Sequence, residues 1–335
     1  MQETRTDDPQ SVTCRVWRDG RVVEKDFPFD QLSEKVRTAD HLVWMDLADP
    51  TAQMLSRLAE ELSLDPNAIE DAVSPHERPK YTRYADHTFI TAYSAKLPEG
   101  DADVELQRVS MFVVGNAVIT VRDADSFDMQ PVVDRWRNNE DLLRHGVGAL
   151  VHGLLDVVVD THFDTVQALD DAIESLEDDL FAEKPQEREV QRRSFRLRKS
   201  LVSLRRVVLP MREVVSGIMH HALDSGTHDA LLDSYFQDLY DHVLRASEWT
   251  ESVRDMITTV FETNLSLSDT RMNVVMKKLT SWAAIIAVPT AVTGFYGQNV
   301  PYPGFSHWSG FVSSTAIIVV AVVGLYIMFR LKDWL

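Results

Sequence analysis

The end of the chain constrains its fold most. Two apolar runs without a charged residue, 279–296 and 311–329, flank a short loop that opens Gly297-Gln298-Asn299-Val300-Pro301-Tyr302-Pro303-Gly304. A helix needs about 20 apolar residues to cross a bilayer, with a working range of roughly 17–25. Both runs meet that length. A buried hairpin of a soluble protein is the alternative, and aromatic flanks at the end of the chain argue against it. Trp282 and Trp334 fall towards one interface, and Tyr296, Tyr302 and Trp308 towards the other, as in an aromatic belt. Lys277 and Lys278 precede the first run, Arg330 and Lys332 follow the second, and 300–310 holds no Lys or Arg. The excess of Lys and Arg on the inner side of membranes places both ends of the hairpin in the cytoplasm and the loop outside.

The remainder is acidic. The chain has 335 residues, with 52 Asp and Glu against 34 Lys and Arg, a formal charge of -18. Such a field repels nucleic acid and attracts cations. One cysteine, Cys14, cannot close an internal disulfide, which fits a reducing compartment. The polar, acidic start, 1–10, does not read as a secretory signal. No glycine-rich phosphate loop, Cys-x-x-Cys or nucleophile motif occurs, which disfavours an enzyme or an ATP-driven pump. His220 and His221 are adjacent, so on a helix they diverge by about 100° and read as a surface pair. His76 and His87 lack metal-ligand spacing.

Six segments rich in β-branched and aromatic residues predict strands: 12–17, 21–27, 42–47, 87–97, 107–114 and 117–122. Asp19-Gly20 predicts a hairpin between the first two. Asp49-Pro50-Thr51 opens a helix through Leu62, and Asp65-Pro66 another through Val73. From about Val132 the pattern is helical. Helices are predicted over 150–183 and 187–208, the first acidic (Asp170, Asp171, Glu174, Glu177, Asp178, Asp179) and the second basic (Arg192, Arg193, Arg196, Arg198, Lys199). They are expected to pair antiparallel, with Pro210 ending or kinking the second. Between Gly226 and Pro289 there is neither glycine nor proline, enough for one helix on the order of 90 Å. The expected division is a cytoplasmic α/β domain (1–130), a helical region with a stalk (131–278), a first span (279–296), an outer loop (297–310), a second span (311–329) and a tail (330–335).

A stripe runs along the stalk. Asp241, Glu248, Asp255, Glu262 and Asp269 recur every seven residues and share one seam of a supercoiled helix. In steps of four and three the seam continues through Asn273, Met276, Thr280, Ala283, Ala287, Thr290 and Gly294, all polar, small or flexible, between the bulky Trp282, Ile285, Ile286, Val292 and Phe295. Such a face must be hidden from lipid. Close helix packing is one explanation, and a wet, cation-conducting axis shared by several copies is the other. Repulsion between carboxylates on a dry seam favours the second. Two helices cannot enclose a hydrated path, so a pore requires an oligomer. At its outer end, Gly297 offers a backbone carbonyl and Asn299 a neutral side-chain oxygen. These suit a hard cation that keeps its water, such as magnesium, although Gly-x-Asn is also ordinary turn chemistry.

Together, Tyr296-Gly297-Gln298-Asn299, two C-terminal spans and a short cationic tail resemble the CorA family of magnesium and cobalt channels. The resemblance extends over nearly the whole chain. It includes Ile69-Glu70-Asp71, His76-Glu77-Arg78-Pro79-Lys80, Ile173-Glu174-Ser175-Leu176-Glu177, Leu204-Arg205-Arg206, Pro210-Met211-Arg212-Glu213-Val214, Asp238-Leu239-Tyr240-Asp241-His242 and Asn273-Val274-Val275-Met276-Lys277-Lys278-Leu279-Thr280. It implies a funnel-shaped homopentamer in a prokaryotic inner membrane, whose first spans line the pore. Gly297, Gln298 and Asn299 then match the outer filter. Thr290, Ala287, Ala283, Thr280, Met276, Asn273, Asp269 and Glu262 match the lining below. Asp238, and across a subunit boundary Asp71 with Glu70, match carboxylates holding a regulatory divalent ion that closes the pore, and Asp156 is a weaker match. The transported and regulatory ion implied is Mg2+, with Co2+ or Ni2+ as further cargo. Three features depart from the family pattern: Gln298 in place of Met, a loop without acid, and a tail with only Arg330 and Lys332. A zinc-transporting, ZntB-like branch also carries variant loops, so Zn2+ with proton coupling stays open, as does a membrane-anchored divalent-ion sensor.

Overall fold

In the computed structural model the described residues are 12–75, 77–98, 100, 103–124, 126–181, 187–225, 229–298, 301–302 and 304–335. They form two compact units, Met1–Thr258 and Thr259–Leu335.

The first unit is built on a seven-stranded sheet: β1 (Val12–Arg18), β2 (Arg21–Lys25), β3 (Leu42–Ala48), β4 (Lys80–Arg83), β5 (Thr88–Lys96), β6 (Glu105–Val114) and β7 (Ala117–Arg122). The strand order is β2-β1-β3-β7-β6-β5-β4. Only β3 and β7 run parallel, with Val43 opposite Ala117 and Asp46 opposite Thr120. β1 and β2 turn on Asp19 (φ 52°) and Gly20 (φ 79°), the two positive φ values that a tight hairpin turn requires. A Cβ on Gly20 would also lie 2.3 Å from the Glu140 carbonyl oxygen, so only glycine fits. Cys14, beside this hairpin, is buried and donates to the Phe27 carbonyl at 3.3 Å. Burial pushes its thiol up to about 11.

Three helices cover one face: α1 (Leu32–Arg37), α2 (Ala52–Leu62) and α3 (Pro66–Val73). Thr51 caps α2 by accepting from Met54 N at 3.2 Å, and Asp65 caps α3 by accepting from Asn67 N at 2.9 Å. Leu55, Leu58, Ala68 and Ala72 meet Met45, Phe89, Phe112 and Ile119 in one core. On the other face lie α4 (Gln130–Asn138), α5 (Glu140–Leu143), α6 (Val147–Phe181), α7 (Glu187–Ser225) and the start of α8 (Ala230–Tyr296). There Trp44, Ile90, Met111 and Val118 pack with Trp136, Leu150, Leu154, Met211 and Phe236.

Two buried polar groups inside this unit are held by specific partners. Asp46 accepts from Thr120 Oγ1 at 2.6 Å and from Arg122 Nε and Nη2 at 3.0 and 2.9 Å, and Trp44 donates to Thr120 at 3.2 Å. Burial pushes the Asp46 carboxyl upwards against the opposing pull of Arg122. His162, on α6, donates from Nε2 to the Tyr93 carbonyl at 2.7 Å. Burial takes its pKa down to about 4, so the imidazole is neutral at pH 7.

The helical region differs from its expected outline in particulars. α6 begins at Val147 rather than Leu150, and its expected end at Glu183 lies outside the described residues. The acidic-basic pairing is present, with Arg193 Nη1 3.0 Å from Asp179 Oδ2. Pro210 does not end α7, which continues to Ser225. Met211, Val214 and Val215, just beyond it, are fully buried in the sheet core. Burying such side chains contributes about 1.5–3 kcal/mol each, against about 3 kcal/mol for an internal proline.

The second unit holds the rest of α8, which passes through Pro289 to Tyr296, and α9 (Trp308–Leu331). α8 has 67 residues, about 100 Å of helix. Pro289 supplies no N–H to its helix. Around it, Thr290 donates to the Ile286 carbonyl at 3.0 Å and Thr293 to the Pro289 carbonyl at 2.8 Å, so both hydroxyls bond back to their own helix. α8 and α9 are both long and apolar enough to cross a membrane. Val320 is 73% exposed and Ile286 63%, apolar surface that water does not favour and lipid does.

Candidate ion pathway and regulatory carboxylates

Every predicted lining position on α8 that the structure describes is exposed: Glu262, Asp269, Asn273, Met276, Thr280, Ala283, Ala287, Thr290 and, one step further, Gly294. Ser281 and Ile285, which lie off the seam, are buried. Within one chain this face is uncovered, as are the bulky Trp282, Ile286 and Phe295 that flank it. The acids below it, Asp241, Glu248 and Asp255, are exposed too, and Asp255 takes Arg254 as a partner at 2.8 Å.

At its C-terminal end the helix closes tightly. Gly297 N donates to the Thr293 carbonyl at 2.8 Å and Gln298 N to the Phe295 carbonyl at 3.2 Å. A Cβ on Gly297 would sit 2.9 Å from the Thr293 oxygen, which bars a side chain there without a backbone shift. Gln298 is exposed, and Asn299, the predicted filter oxygen, lies outside the described residues. Beyond it the loop is held by rings. Tyr302 donates to the Tyr296 carbonyl at 3.2 Å, and its ring centroid is 4.9 Å from that of Tyr296 and 5.3 Å from that of Phe305.

The predicted regulatory carboxylates occupy two places in the first unit. Asp238 on α8 and Asp156 on α6 line one cavity of about 270 Å³ with Arg135, His152, Asp160 and His242. Asp238 is 71% exposed by side chain, with His242 Nε2 3.8 Å away. Asp156 is paired with Arg135, which also reaches Asp160 at 2.5 Å. Burial raises the Asp156 carboxyl's pKa, opposed by Arg135 and His152, and burial lowers that of the His152 imidazole. Glu70 and Asp71 lie on α3. Glu70 is exposed, whereas Asp71 Oδ2 is 2.6 Å from Lys80 Nζ, which also contacts Glu77 Oε2 at 2.9 Å.

The arrangement is therefore selective. Of the four carboxylates, Asp71 and Asp156 are each neutralised by a cation of their own chain. Among the described residues no three His, Cys, Asp or Glu side chains converge as a metal site. One chain alone does not fit a regulatory ion, and a site at Asp238 needs ligands from elsewhere. The sequence reading missed Lys80 and Arg135. Lys80 was visible only as part of Arg78-Pro79-Lys80, and its nine-residue distance from Asp71 crosses from a helix to a strand.

The chain is similar to known proteins over most of its length. The family described as CorA-like Mg2+ transporter protein matches residues 39–331. The cobalt/magnesium transport protein CorA of Thermotoga maritima is 30% identical over 286 residues, 84% of this chain and 80% of its own. The zinc transport protein ZntB of Yersinia enterocolitica is 24% identical over 309 residues, 90% of each. The complete structure of the CorA magnesium transporter from Methanocaldococcus jannaschii superposes with a TM-score of 0.74 at 24% identity, over 97% of this chain and 98% of that one. The matched residues run through the sheet, the long helices and both candidate spans. The chain belongs to the CorA-like Mg2+ transporter family, whose members are transporters and not enzymes.

Proposed function

We propose that the chain forms a homopentameric divalent cation channel of the inner membrane, with both termini in the cytoplasm. It passes Mg2+, and with it Co2+ or Ni2+, down the membrane potential. The observation that carries this reading is the uncovered seam from Glu262 to Gly294, polar, small or flexible at each step, which runs directly into Gly297. Five such seams around an axis make a wet path lined by Asn273, Thr280 and Thr290. Gly297, Gln298 and Asn299 form its outer ring, where neutral oxygens hold an ion through its water. An inside-negative potential of 100 mV favours each divalent ion's entry by about 4.6 kcal/mol. Asp238 of one subunit and Asp71 with Glu70 of the next hold a regulatory Mg2+, whose loss leaves facing carboxylates to repel and the pore to open.

The test is flux into liposomes with a panel of divalent ions. Wild type is expected to pass Mg2+ and Asn299→Ala to lose most of that flux. Absence of any divalent flux would favour a membrane-anchored sensor. A second reading has a specific basis: Gln298 stands where the family has Met, and a ZntB relative spans 90% of the chain. Zinc flux that outcompetes magnesium and follows an imposed pH gradient would establish it.

A further inference from the structure

Lys80 leaves α3 and Asp71 with a charge already in place. Its nitrogen is 2.6 Å from Asp71 Oδ2 and 2.9 Å from Glu77 Oε2, so those two oxygens are at most about 5.5 Å apart. Its backbone is fixed in β4, opposite Thr91 of β5, and its nitrogen lies 5.9 Å from the centroid of the Phe89 ring. Both members of the Lys80–Asp71 pair are 23% exposed by side chain. The ammonium is thus held between two carboxylates and anchored through its strand.

The same two oxygens cannot serve an ammonium and a divalent ion at full strength. A Mg2+ ion approaching Asp71 has to displace Lys80, or share Asp71 with it at the cost of cation–cation repulsion. Arg135 covers Asp156 in the same manner, whereas Asp238, 71% exposed by side chain, has only the His242 imidazole nearby, at 3.8 Å.

We propose that Lys80 is a tethered competitor for the divalent ion at Asp71, and so sets how much cytoplasmic Mg2+ is needed to hold the protein closed. This rests on the reading of Asp71 as a regulatory ligand. It adds a residue of opposite charge whose function is to weaken that site, so that it empties when Mg2+ falls.

The experiment uses the full chain in lipid nanodiscs, with Mg2+ as the probe. Binding is followed by calorimetry and by Mg2+-dependent protection from protease, and closure by flux inhibition in liposomes. Lys80→Met keeps the apolar stem over Phe89 and removes the charge. Its half-saturating Mg2+ is expected to fall by about tenfold, while Lys80→Arg stays near wild type. Unchanged or weaker Mg2+ binding in Lys80→Met overturns the proposal. Asp71→Ala separates the two failures. If it abolishes Mg2+ sensitivity while Lys80→Met changes nothing, the competitor role falls and the ligand reading stands. If Asp71→Ala also changes nothing, both fall. Wild-type protein supplies a readout independent of any variant's folding. Displacement by saturating Mg2+ should raise acetylation of Lys80 by an amine reagent, measured by mass spectrometry, and labelling that Mg2+ leaves unchanged overturns the proposal.

Discussion

His162 shows how one buried side chain ties stability to pH. Its Nε2–H donates to the Tyr93 carbonyl and ties α6 to β5, while burial of the ring disfavours the protonated form. Unfolded, it takes up a proton near its ordinary value of 6.5; folded, near 4. In that window the unfolded state binds more protons, so stability rises with pH and is lost on acidification. The full interval corresponds to about 3 kcal/mol. Thermal melts from pH 7 to 4 are expected to show this loss in wild type, and a flatter profile in His162→Gln. Parallel profiles would assign the acid sensitivity elsewhere. Asp46 has a different sensitivity. Asp46→Ala leaves the Arg122 guanidinium in a mostly buried position without the carboxylate oxygen that accepts from both its Nε and Nη2, at a cost of about 3–5 kcal/mol. Denaturant titration should place Asp46→Asn between it and wild type.

At the scale of elements, the start of α8 is held by a single acid. Asp229 Oδ1 accepts from Leu231 N at 3.0 Å and Leu232 N at 3.3 Å, while Oδ2 meets His145 Nδ1 at 2.5 Å. The hydrogen bond from His145 lowers the Asp229 carboxyl's pKa. Asp229→Ala is expected to speed amide exchange over residues 230–236 and leave residues 250–258 unchanged. Local residues made such elements legible: Thr51 and Asp65 as caps, Asp19-Gly20 as a turn, and the absence of proline or glycine before Pro289 as one long helix. β4 escaped because four residues, two of them basic, form a strand only through pairing with β5. The extension of α7 past Pro210 escaped because the burial of Met211 and Val214 is a tertiary effect. The seam was readable because its period is intrinsic to a helix. The partners of Asp71 and Asp156 were not, since Lys80 and Arg135 reach them from other elements.

For the whole molecule, the distribution of charge is the governing feature. Asp241, Glu248, Asp255, Glu262 and Asp269 put five exposed carboxylates in register along one helix, in a chain of net charge -18. Replacing Glu248, Glu262 and Asp269 by their amides is expected to lower divalent flux at low ionic strength, with little effect at high salt, where the Debye length shrinks to about 3 Å at 1 M. Equal losses at both salt concentrations would point to altered packing. Such measurements are helped by the single cysteine of β1. Cys14 is the sole thiol in 335 residues, it is 1% exposed, and its pKa of about 11 leaves almost no thiolate at pH 7. The native protein is thus chemically silent to maleimides and methanethiosulfonates. A cysteine introduced at Thr280, Ala283 or Ala287 would report its own access to water, from either side of the bilayer, without the natural one having to be removed.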